Sequence, residues 1–501
     1  MIIYLLGLAI CYVILHYFCN KEDDNEAELV RAMSKIMETG RFARRLSCHE
    51  IAYLNANEIG NGEGWTIFSF SSTVALHVKS MENVVRQLYR RHPMLRARIS
   101  RFIARDGTVV KFLEEMAEEN INFRHEATTD YRVLVDRELH TQFDEDGPLW
   151  RITMLECVEM AGDNRRYTFV MTGLHLICDG LGIGIFIRDF VECLQNHLEC
   201  GPQFTTPDME RLPLKPGRDE YMESDIKVTF WDKAWFVFER LRSLFHPPDD
   251  RLDLTSRLDY APKTNREQLL RTLDIIPIHL SETETSSFAE TVKSNNLRMN
   301  APISAVTALS LMKLLDEDAS QLHDVRVSGL YNLRYPRLCK DANMNDLGDY
   351  IQGLCMLDAR ISTDIDDATF WEVAKDFQRQ TEEEVADFTR MFNHCKMLKL
   401  NSCRWGKSLV ADAHVSNWGR FDILNRLNKR KKFLSDLKVE FLFDCFDASP
   451  AIVTLIAMTM DDRLSFSLQY QPDIVDRNFA FRYAEVFRET LLHFSDPKTY
   501  R

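Results

Sequence analysis

The sequence predicts a mixed α/β (α+β) fold in two halves of similar content. Runs rich in β-branched residues, which are typical of strands, alternate with amphipathic helical patterns from Leu46 onward. The chain has 501 residues, enough for more than one domain of ordinary size. We expect residues 1–20 to form a membrane anchor, 21–45 a linker helix, 46–250 the first half and 251–501 the second half.

The composition excludes several classes of protein. The chain is 45% hydrophobic and 28% charged, with only 19 Gly and 15 Pro, which argues against a disordered or collagen-like chain. Its net charge of −14 argues against a general nucleic-acid binder, although a local basic patch is compatible with it. The 12 cysteines form no C-x-x-C pair, so we interpret them as reduced thiols and predict no metal site.

The elements of the first half follow from local patterns. They are predicted as a strand over Trp65–Leu76, a helix over Met81–Arg91, a strand over Val109–Leu113, a helix over Tyr131–His140, and a hairpin of Leu149–Cys157 with Tyr167–Leu176. The second hairpin strand leads into His175, Asp179 and three alternating glycines. A helix over Ile185–Leu198 follows these glycines, and residues 201–218 are rich in proline.

The second half repeats the alternation. Ser281 and Glu284 have the spacing of a capping box, which predicts a helix start there. The other predicted elements are strands over Leu270–Ile278, Val325–Leu333, Tyr350–Ile361, Val410–Val415, Val439–Phe446, Ile452–Met460 and Leu464–Tyr470, and helices over Ala301–Asp316, Ala368–Met391 and Asn478–Phe494.

The amino terminus differs from the rest of the chain. Met1–Phe18 carries no formally charged side chain and has a length at the lower limit for a bilayer span. Lys21, Arg31 and Lys35 all lie on its carboxyl side, which predicts that the body faces the cytosol, with the endoplasmic reticulum as the expected membrane. The alternative is an uncleaved or poorly cleaved signal sequence with a lumenal body.

A second apolar segment, Thr229–Phe245, combines tryptophans and phenylalanines with basic residues. One interpretation is a helix packed on the body of the protein. The other is an interfacial helix in the headgroup layer, with its basic side chains extended toward water.

The string His175–Gly180 (HLICDG) is the strongest chemical signal in the sequence. A buried strand delivers His175 to a turn, where an imidazole can act as a general base. Asp179 either orders that turn or pairs with an arginine, and so holds His175 in a useful orientation. On the string alone, an ordinary core histidine beside a turn aspartate is an equal alternative.

HLICDG resembles the H-x-x-x-D-G signature of the chloramphenicol acetyltransferase-like superfamily, which includes alcohol acetyltransferases and the condensation domains of peptide synthetases. Four further segments are similar to pieces of that superfamily in the same order: Arg91–Ala97, Phe143–Arg151, Tyr331–Arg334 with Leu347–Tyr350, and Ser416–Gly419. The resemblance covers most of Leu46–Phe494. It implies two chloramphenicol acetyltransferase-like subdomains with an active-site tunnel between them.

The sequence also departs from the superfamily pattern. Condensation domains and wax ester synthases usually have two adjacent histidines, whereas Leu174 precedes His175 here. The D-F-G-W-G loop of plant BAHD acyltransferases is not matched by Ser416–Gly419. The alcohol acetyltransferase-like branch is therefore the best match.

The resemblance implies a mechanism without a metal or a covalent intermediate. His175 takes the proton of an acceptor hydroxyl or amine, which attacks the thioester of acyl-CoA, the co-substrate. Asp179 is structural, Gly180 allows close approach of the backbone, and Arg334 is the candidate partner of Asp179. Ser416 and Asn417 are expected in a loop that faces the donor, with a plain strand-end turn as the alternative.

A basic cluster, Lys429, Arg430, Lys431 and Lys432, follows that loop. One interpretation is a docking site for the phosphates of CoA or for anionic lipid headgroups, and the other is a solvated loop. The predicted function is transfer of an acyl group from acyl-CoA to the hydroxyl of a hydrophobic alcohol. The alternatives are transfer to an amine and an inactive binding or scaffold protein with the same fold.

Overall fold

The computed structural model describes residues 27–58, 63–139, 141–200, 210–218, 220, 274–315, 322–332, 346–386, 411–421, 451–460, 462–472 and 474–495. Several predictions fall outside these residues: the membrane anchor over 1–20, the aromatic segment Thr229–Phe245, Arg334, the strand over Val439–Phe446, and the basic cluster Lys429–Lys432.

The described elements of the first half alternate between helix and strand, as predicted. They are α1 (27–37), β1 (Ala43–Arg45), α2 (Cys48–Glu58), β2 (Glu63–Ser72), α3 (Val78–Arg91), β3 (Ala97–Ile103), β4 (Val109–Glu115), β5 (Phe123–Glu126), α4 (Tyr131–Leu139), β6 (Trp150–Leu155), β7 (Val158–Glu159), β8 (Arg165–Leu174) and α5 (Gly180–Cys200).

The second half contains two helices at its start and closes with a strand hairpin and a helix. Its described elements are β9 (Asp274–His279), α6 (Glu282–Ser294), α7 (Asn300–Leu315), β10 (His323–Asn332), β11 (Ile351–Ile361), α8 (Asp367–Ala386), β12 (Ala413–Phe421), β13 (Val453–Met460), β14 (Arg463–Tyr470) and α9 (Arg477–His493).

Each half has its own main sheet. In the first half the strand order is β2-β8-β6-β5, with β7 also paired to β8, and a small separate sheet has the order β1-β4-β3. In the second half the order is β11-β10-β12-β13-β14-β9, where β12 runs parallel to both β10 and β13. The described residues therefore have the mixed α/β fold that the sequence predicts.

Aromatic packing joins the first sheet to its covering helix. The ring of Phe190 on α5 meets the rings of Phe68 and Phe169 at centroid distances of 5.3 and 5.0 Å, and none of these side chains reaches solvent. Each such buried side chain contributes about 1.5–3 kcal/mol through the hydrophobic effect. This packing holds α5, and with it the turn that precedes α5, at a fixed position against β8.

Helix α7 lies at the centre of the second half. Every residue from Ala301 to Met312 is buried, because α7 packs between the sheet and the neighbouring helices α8 and α9. A helix that is buried on all sides has no solvent face, so packing against its neighbours fixes its position. Helix α7 thereby supports β10 and β12 from one side of the sheet.

The region predicted as a linker is part of the first half. Leu29 and Met33 of α1 pack against Ala43 and Phe112, and β1 pairs antiparallel with β4. The described part of the linker helix predicted over 21–45 is helical over residues 27–37, and these contacts pack it on the first half. The apolar positions of α1 are buried against a sheet that forms only when β1 and β4 meet, which a local pattern does not reveal.

The capping box that begins α6 is confirmed. The backbone N–H of Glu284 donates to the Ser281 hydroxyl at 3.2 Å, and the backbone N–H of Ser281 donates to the Glu284 carboxylate at 2.8 Å. Each bond satisfies an amide that has no partner within the helix.

Among the residues that the structure describes, no helix is both long and apolar enough to cross a membrane.

Candidate active site

His175 lies where the first-half sheet ends. Strand β8 stops at Leu174, and His175–Ile177 form a single 3₁₀ turn before α5. The sequence predicted that the helix would begin at Ile185, but it begins at Gly180, so the three glycines lie inside the first turns of the helix. Glycine is the poorest helix former apart from proline, which is why the pattern suggested a loop.

Asp179 joins the two halves through its carboxylate. Its Oδ1 accepts a hydrogen bond from the backbone N–H of Gly182 at 2.8 Å, which caps α5. Its Oδ2 accepts from the backbone N–H of Tyr350 at 3.0 Å, and its own N–H donates to the Gly348 carbonyl at 3.2 Å. Both oxygens therefore hold backbone amides, and the predicted partner Arg334 lies outside the described residues.

Gly180 and Gly184 allow α5 to contact the second half closely. A Cβ atom at Gly180 would overlap the ring of Trp418, and one at Gly184 would overlap the ring of Phe421. Trp418 and Phe421 belong to β12 of the second sheet. The cost of glycine in a helix is thus offset by packing between the halves.

We expect Gly184→Ala to destabilise the protein by about 1–3 kcal/mol, because overpacking at a buried contact exceeds the gain in helix propensity. Thermal unfolding measures the loss. The control is Gly147→Ala, where a Cβ would meet only atoms of Asp144 at 3.7 and 3.8 Å. Adding Phe421→Leu to Gly184→Ala should recover part of the loss. Equal melting temperatures for Gly184→Ala and wild type would contradict the contact.

Ser416 and Asn417 do not lie in a loop. Strand β12 runs through both of them to Phe421, so the predicted strand end at Val415 is wrong. The pairing with β13 shifts between Asn417 and Arg420, where Gly419 has a positive φ of 89°. The Asn417 Oδ1 accepts from the Gly419 N–H at 2.9 Å and so supports this bulge. Asn417 thereby shapes the part of β12 that meets Gly180.

Three residues that the sequence analysis did not select surround His175. The Tyr53 ring on α2 stacks on the His175 ring at a centroid distance of 4.5 Å. His49, one helical turn earlier, meets Tyr53 edge-on at 4.7 Å, and its Nδ1 lies 2.6 Å from Asp349 Oδ2. Asp349 lay within the quoted segment Leu347–Tyr350, but the sequence analysis gave it no role, and His49 and Tyr53 lay in no quoted motif.

The electrostatic surroundings favour a neutral His175. Burial lowers the pKa of the His175 imidazole below its usual value, and this effect exceeds the opposing influence of Asp349. The side chain nevertheless keeps a partly exposed surface, while its Nδ1 is buried. The His175 imidazole is therefore neutral at neutral pH.

The motif segments on the first half have structural roles. His92 and Arg91 both contact Asp189 of α5, at 3.1 and 2.9 Å. The Trp150 indole N–H donates to the Leu95 carbonyl at 2.7 Å. These contacts hold α5 and the start of β6 against α3 and the turn that follows it.

Cys157, Cys178, Cys193 and Cys355 take part in no disulfide among the described residues. Cys178, inside the motif, is buried, and burial raises the pKa of Cys193 and of Cys355 to about 12. Thiols of such high pKa are poor nucleophiles at neutral pH. Within the described ranges, no group of His, Cys, Asp and Glu side chains has the arrangement of a metal site.

The fold of the described residues is similar to that of condensation domains and of an acetyltransferase. A Condensation domain family model matches residues 61–224. The structure is similar to the TRI3 trichothecene 15-O-acetyltransferase from Fusarium sporotrichioides, at 13% identity and a TM-score of 0.66, covering 91% of this chain and 95% of that one. No curated protein matches the sequence.

Two further solved structures share the fold. The epimerization domain of tyrocidine synthetase B has 13% identity and a TM-score of 0.61, covering 91% of this chain and 96% of that one. The condensation domain of the Monacolin K polyketide synthase MokA has 12% identity and a TM-score of 0.61, covering 90% and 97%. The predicted resemblance to the chloramphenicol acetyltransferase-like superfamily is thus confirmed.

Proposed function

We propose that this protein transfers an acyl group from acyl-CoA to the hydroxyl of a hydrophobic alcohol, with His175 as the general base. The observation that carries the proposal is a partly exposed imidazole, kept neutral by burial, at the point where the two halves meet. The shared fold with an O-acetyltransferase supports oxygen as the acceptor atom.

A single histidine is enough for both proton transfers of the proposed reaction. His175 Nε2 takes the proton of the acceptor hydroxyl while the oxygen attacks the thioester carbonyl carbon. The tetrahedral oxyanion then collapses, the carbon–sulfur bond breaks, and the ester is released. The departing thiolate takes the proton back from the His175 imidazolium, which restores the neutral base.

Several parts of the proposal rest on the sequence alone. Lys429, Arg430, Lys431 and Lys432 are proposed to bind the CoA phosphates, and residues 1–20 to tether the protein to a membrane with the body in the cytosol. A tethered enzyme would meet its hydrophobic alcohol at the bilayer surface. Ser416 and Asn417 are proposed to support the donor side through the bulge of β12.

The test is release of CoA thiol by the purified full chain in detergent, with acetyl-CoA or longer acyl-CoA and a panel of alcohols and amines. We expect thiol release that depends on a hydrophobic alcohol, with the ester identified by mass spectrometry. Products formed only with amines would replace this proposal with N-acyl transfer. No release with any acceptor would favour an inactive binding protein.

A further inference from the structure

A buried histidine–carboxylate pair lies beside His175 and has no part in the mechanism above. His49 Nδ1 and Asp349 Oδ2 are 2.6 Å apart, and their side chains are 5% and 0% exposed. An ionised carboxylate only accepts, so the Nδ1–H of His49 donates. Burial raises the pKa of Asp349, but His49, Arg218 and His175 together outweigh burial and hold that pKa below its usual value. Asp349 is therefore a buried negative charge.

The pair is connected to the base by one aromatic ring. His49 and Tyr53 lie four residues apart on α2, so their side chains share one face of the helix. Tyr53 is 4% exposed and lies between the two imidazoles, edge-on to His49 and stacked on His175. The plane of the His175 ring is thus fixed from the same helix that holds Asp349.

Asp349 and Asp179 differ in what their oxygens do. Both Asp179 oxygens accept from backbone N–H groups, which ties that residue to the turn and to Tyr350. The Oδ1 of Asp349, in contrast, is buried without a hydrogen-bond partner among the described residues. Its charge is therefore less neutralised by hydrogen bonds than that of Asp179.

The groups that act on His175 or on Asp349 come from four segments. Asp349, before β11, and Asp179, before α5, favour the charged imidazole, whereas His49 of α2 and burial disfavour it. Arg218, 1% exposed, donates from Nη1 to the Ile351 carbonyl at 2.6 Å and acts on Asp349. Asp349 has the largest favourable effect on the His175 imidazolium among these groups.

We propose that Asp349, His49 and Tyr53 are positioning residues of the acyl-transfer site. Asp349 stabilises the imidazolium that His175 becomes when it takes the acceptor's proton, His49 holds that carboxylate in place, and Tyr53 fixes the plane of the His175 ring. Asp349 itself stays ionised throughout. This inference rests on the proposed function, because it assigns partners to the same base.

Removal of the Asp349 charge is expected to lower the pKa of His175. Without the Asp349 charge the His175 imidazolium is less stable, so the pKa of His175 falls further and proton transfer to it becomes harder. The rising limb of turnover against pH should move to lower pH, and the plateau rate should fall. A role limited to folding would lower the melting temperature without moving this limb.

The experiment titrates His175 by NMR in full-length protein labelled with ¹³C at histidine Cε1, with the signal assigned by His175→Gln. We expect Asp349→Asn to lower the pKa of His175 by about 1 unit or more, the scale expected for one nearby charge. It should also lower kcat about 10- to 100-fold with little change in KM. Asp349→Glu, which keeps the charge, should restore part of both.

The matched control is Asp189→Asn, which removes the carboxylate of the other buried histidine pair, His92 with Asp189 at 3.1 Å. It should leave the titration of His175 unchanged whatever it does to stability. An Asp349→Asn protein that titrates like wild type and keeps its pH profile would overturn the proposal. The NMR titration needs no substrate. If the wild type shows no acyl transfer, the proposed function is contradicted, but the titration still measures the effect of the Asp349 charge on the pKa of His175.

Two other substitutions keep the inference testable if Asp349→Asn does not fold. His49→Gln leaves the carboxylate in place and should lower kcat about tenfold with KM unchanged. Tyr53→Phe should keep kcat, whereas Tyr53→Leu should lower it, because only phenylalanine preserves the stacked ring. Wild-type kcat in folded His49→Gln, or equal kcat in the two Tyr53 variants, would contradict the assignment.

Discussion

Replacing His175 by alanine is expected to lower acyl transfer by about 10²–10⁴-fold, the usual contribution of a positioned general base. The fold should remain intact, because the side chain is partly exposed and the packing of β8 and α5 does not depend on it. Initial rates of CoA thiol release with a saturating alcohol, together with the melting temperature, measure both effects.

The matched control is His197→Ala, which removes a half-buried histidine near the other end of α5. It should leave turnover unchanged. Turnover by wild type should also rise with pH through a pKa below the usual histidine value, because burial lowers the pKa of His175 and only the neutral form accepts a proton. Wild-type turnover in purified His175→Ala would refute the role of His175 as the base.

Asp179→Asn has the second largest expected effect, and it should reduce stability and activity together. An asparagine keeps one acceptor oxygen but places an NH₂ group against one of the two backbone N–H groups, of Gly182 or Tyr350, that the carboxylate now satisfies. Leaving a buried donor unpaired costs about 1–3 kcal/mol. Turnover should fall as well, since Asp179 fixes the turn that carries His175.

The control for Asp179→Asn is Asp476→Asn. Asp476 caps α9 through one bond from the Phe479 N–H at 2.7 Å, and its side chain is exposed. Asparagine caps a helix about as well as aspartate, so this variant should unfold within about 0.5 kcal/mol of wild type. If Asp179→Asn is as stable and as active as Asp476→Asn, the hydrogen bond from Tyr350 to Asp179 contributes nothing measurable to stability or turnover.

Elements whose signal is local were predicted well from the sequence. The hairpin of β6 and β8, the capping box at Ser281 and the amphipathic helix α8 depend on neighbours within a few residues, so a pattern of one segment contains the information. His175 and Asp179 were found the same way, because the strand, the turn and the motif are contiguous.

Elements shaped by distant contacts were predicted poorly. The start of α5 was placed five residues late because glycines at 180, 182 and 184 are poor helix formers, and only Trp418 and Phe421 on the other half explain their presence. Strand β12 was ended too early for the same reason, since the bulge at Gly419 keeps pairing with β13 beyond Asn417.

The sequence by itself determined the alternation of helices and strands, the position of the motif that holds His175, and the resemblance of the fold. Only the tertiary structure decided which side chains surround His175. His49 and Asp349 are 300 positions apart, and nothing in either local segment marks them as partners. They meet because the two halves pack together through Asp179 and the glycines of α5, and a buried charge is stable there only when its partner is already in place.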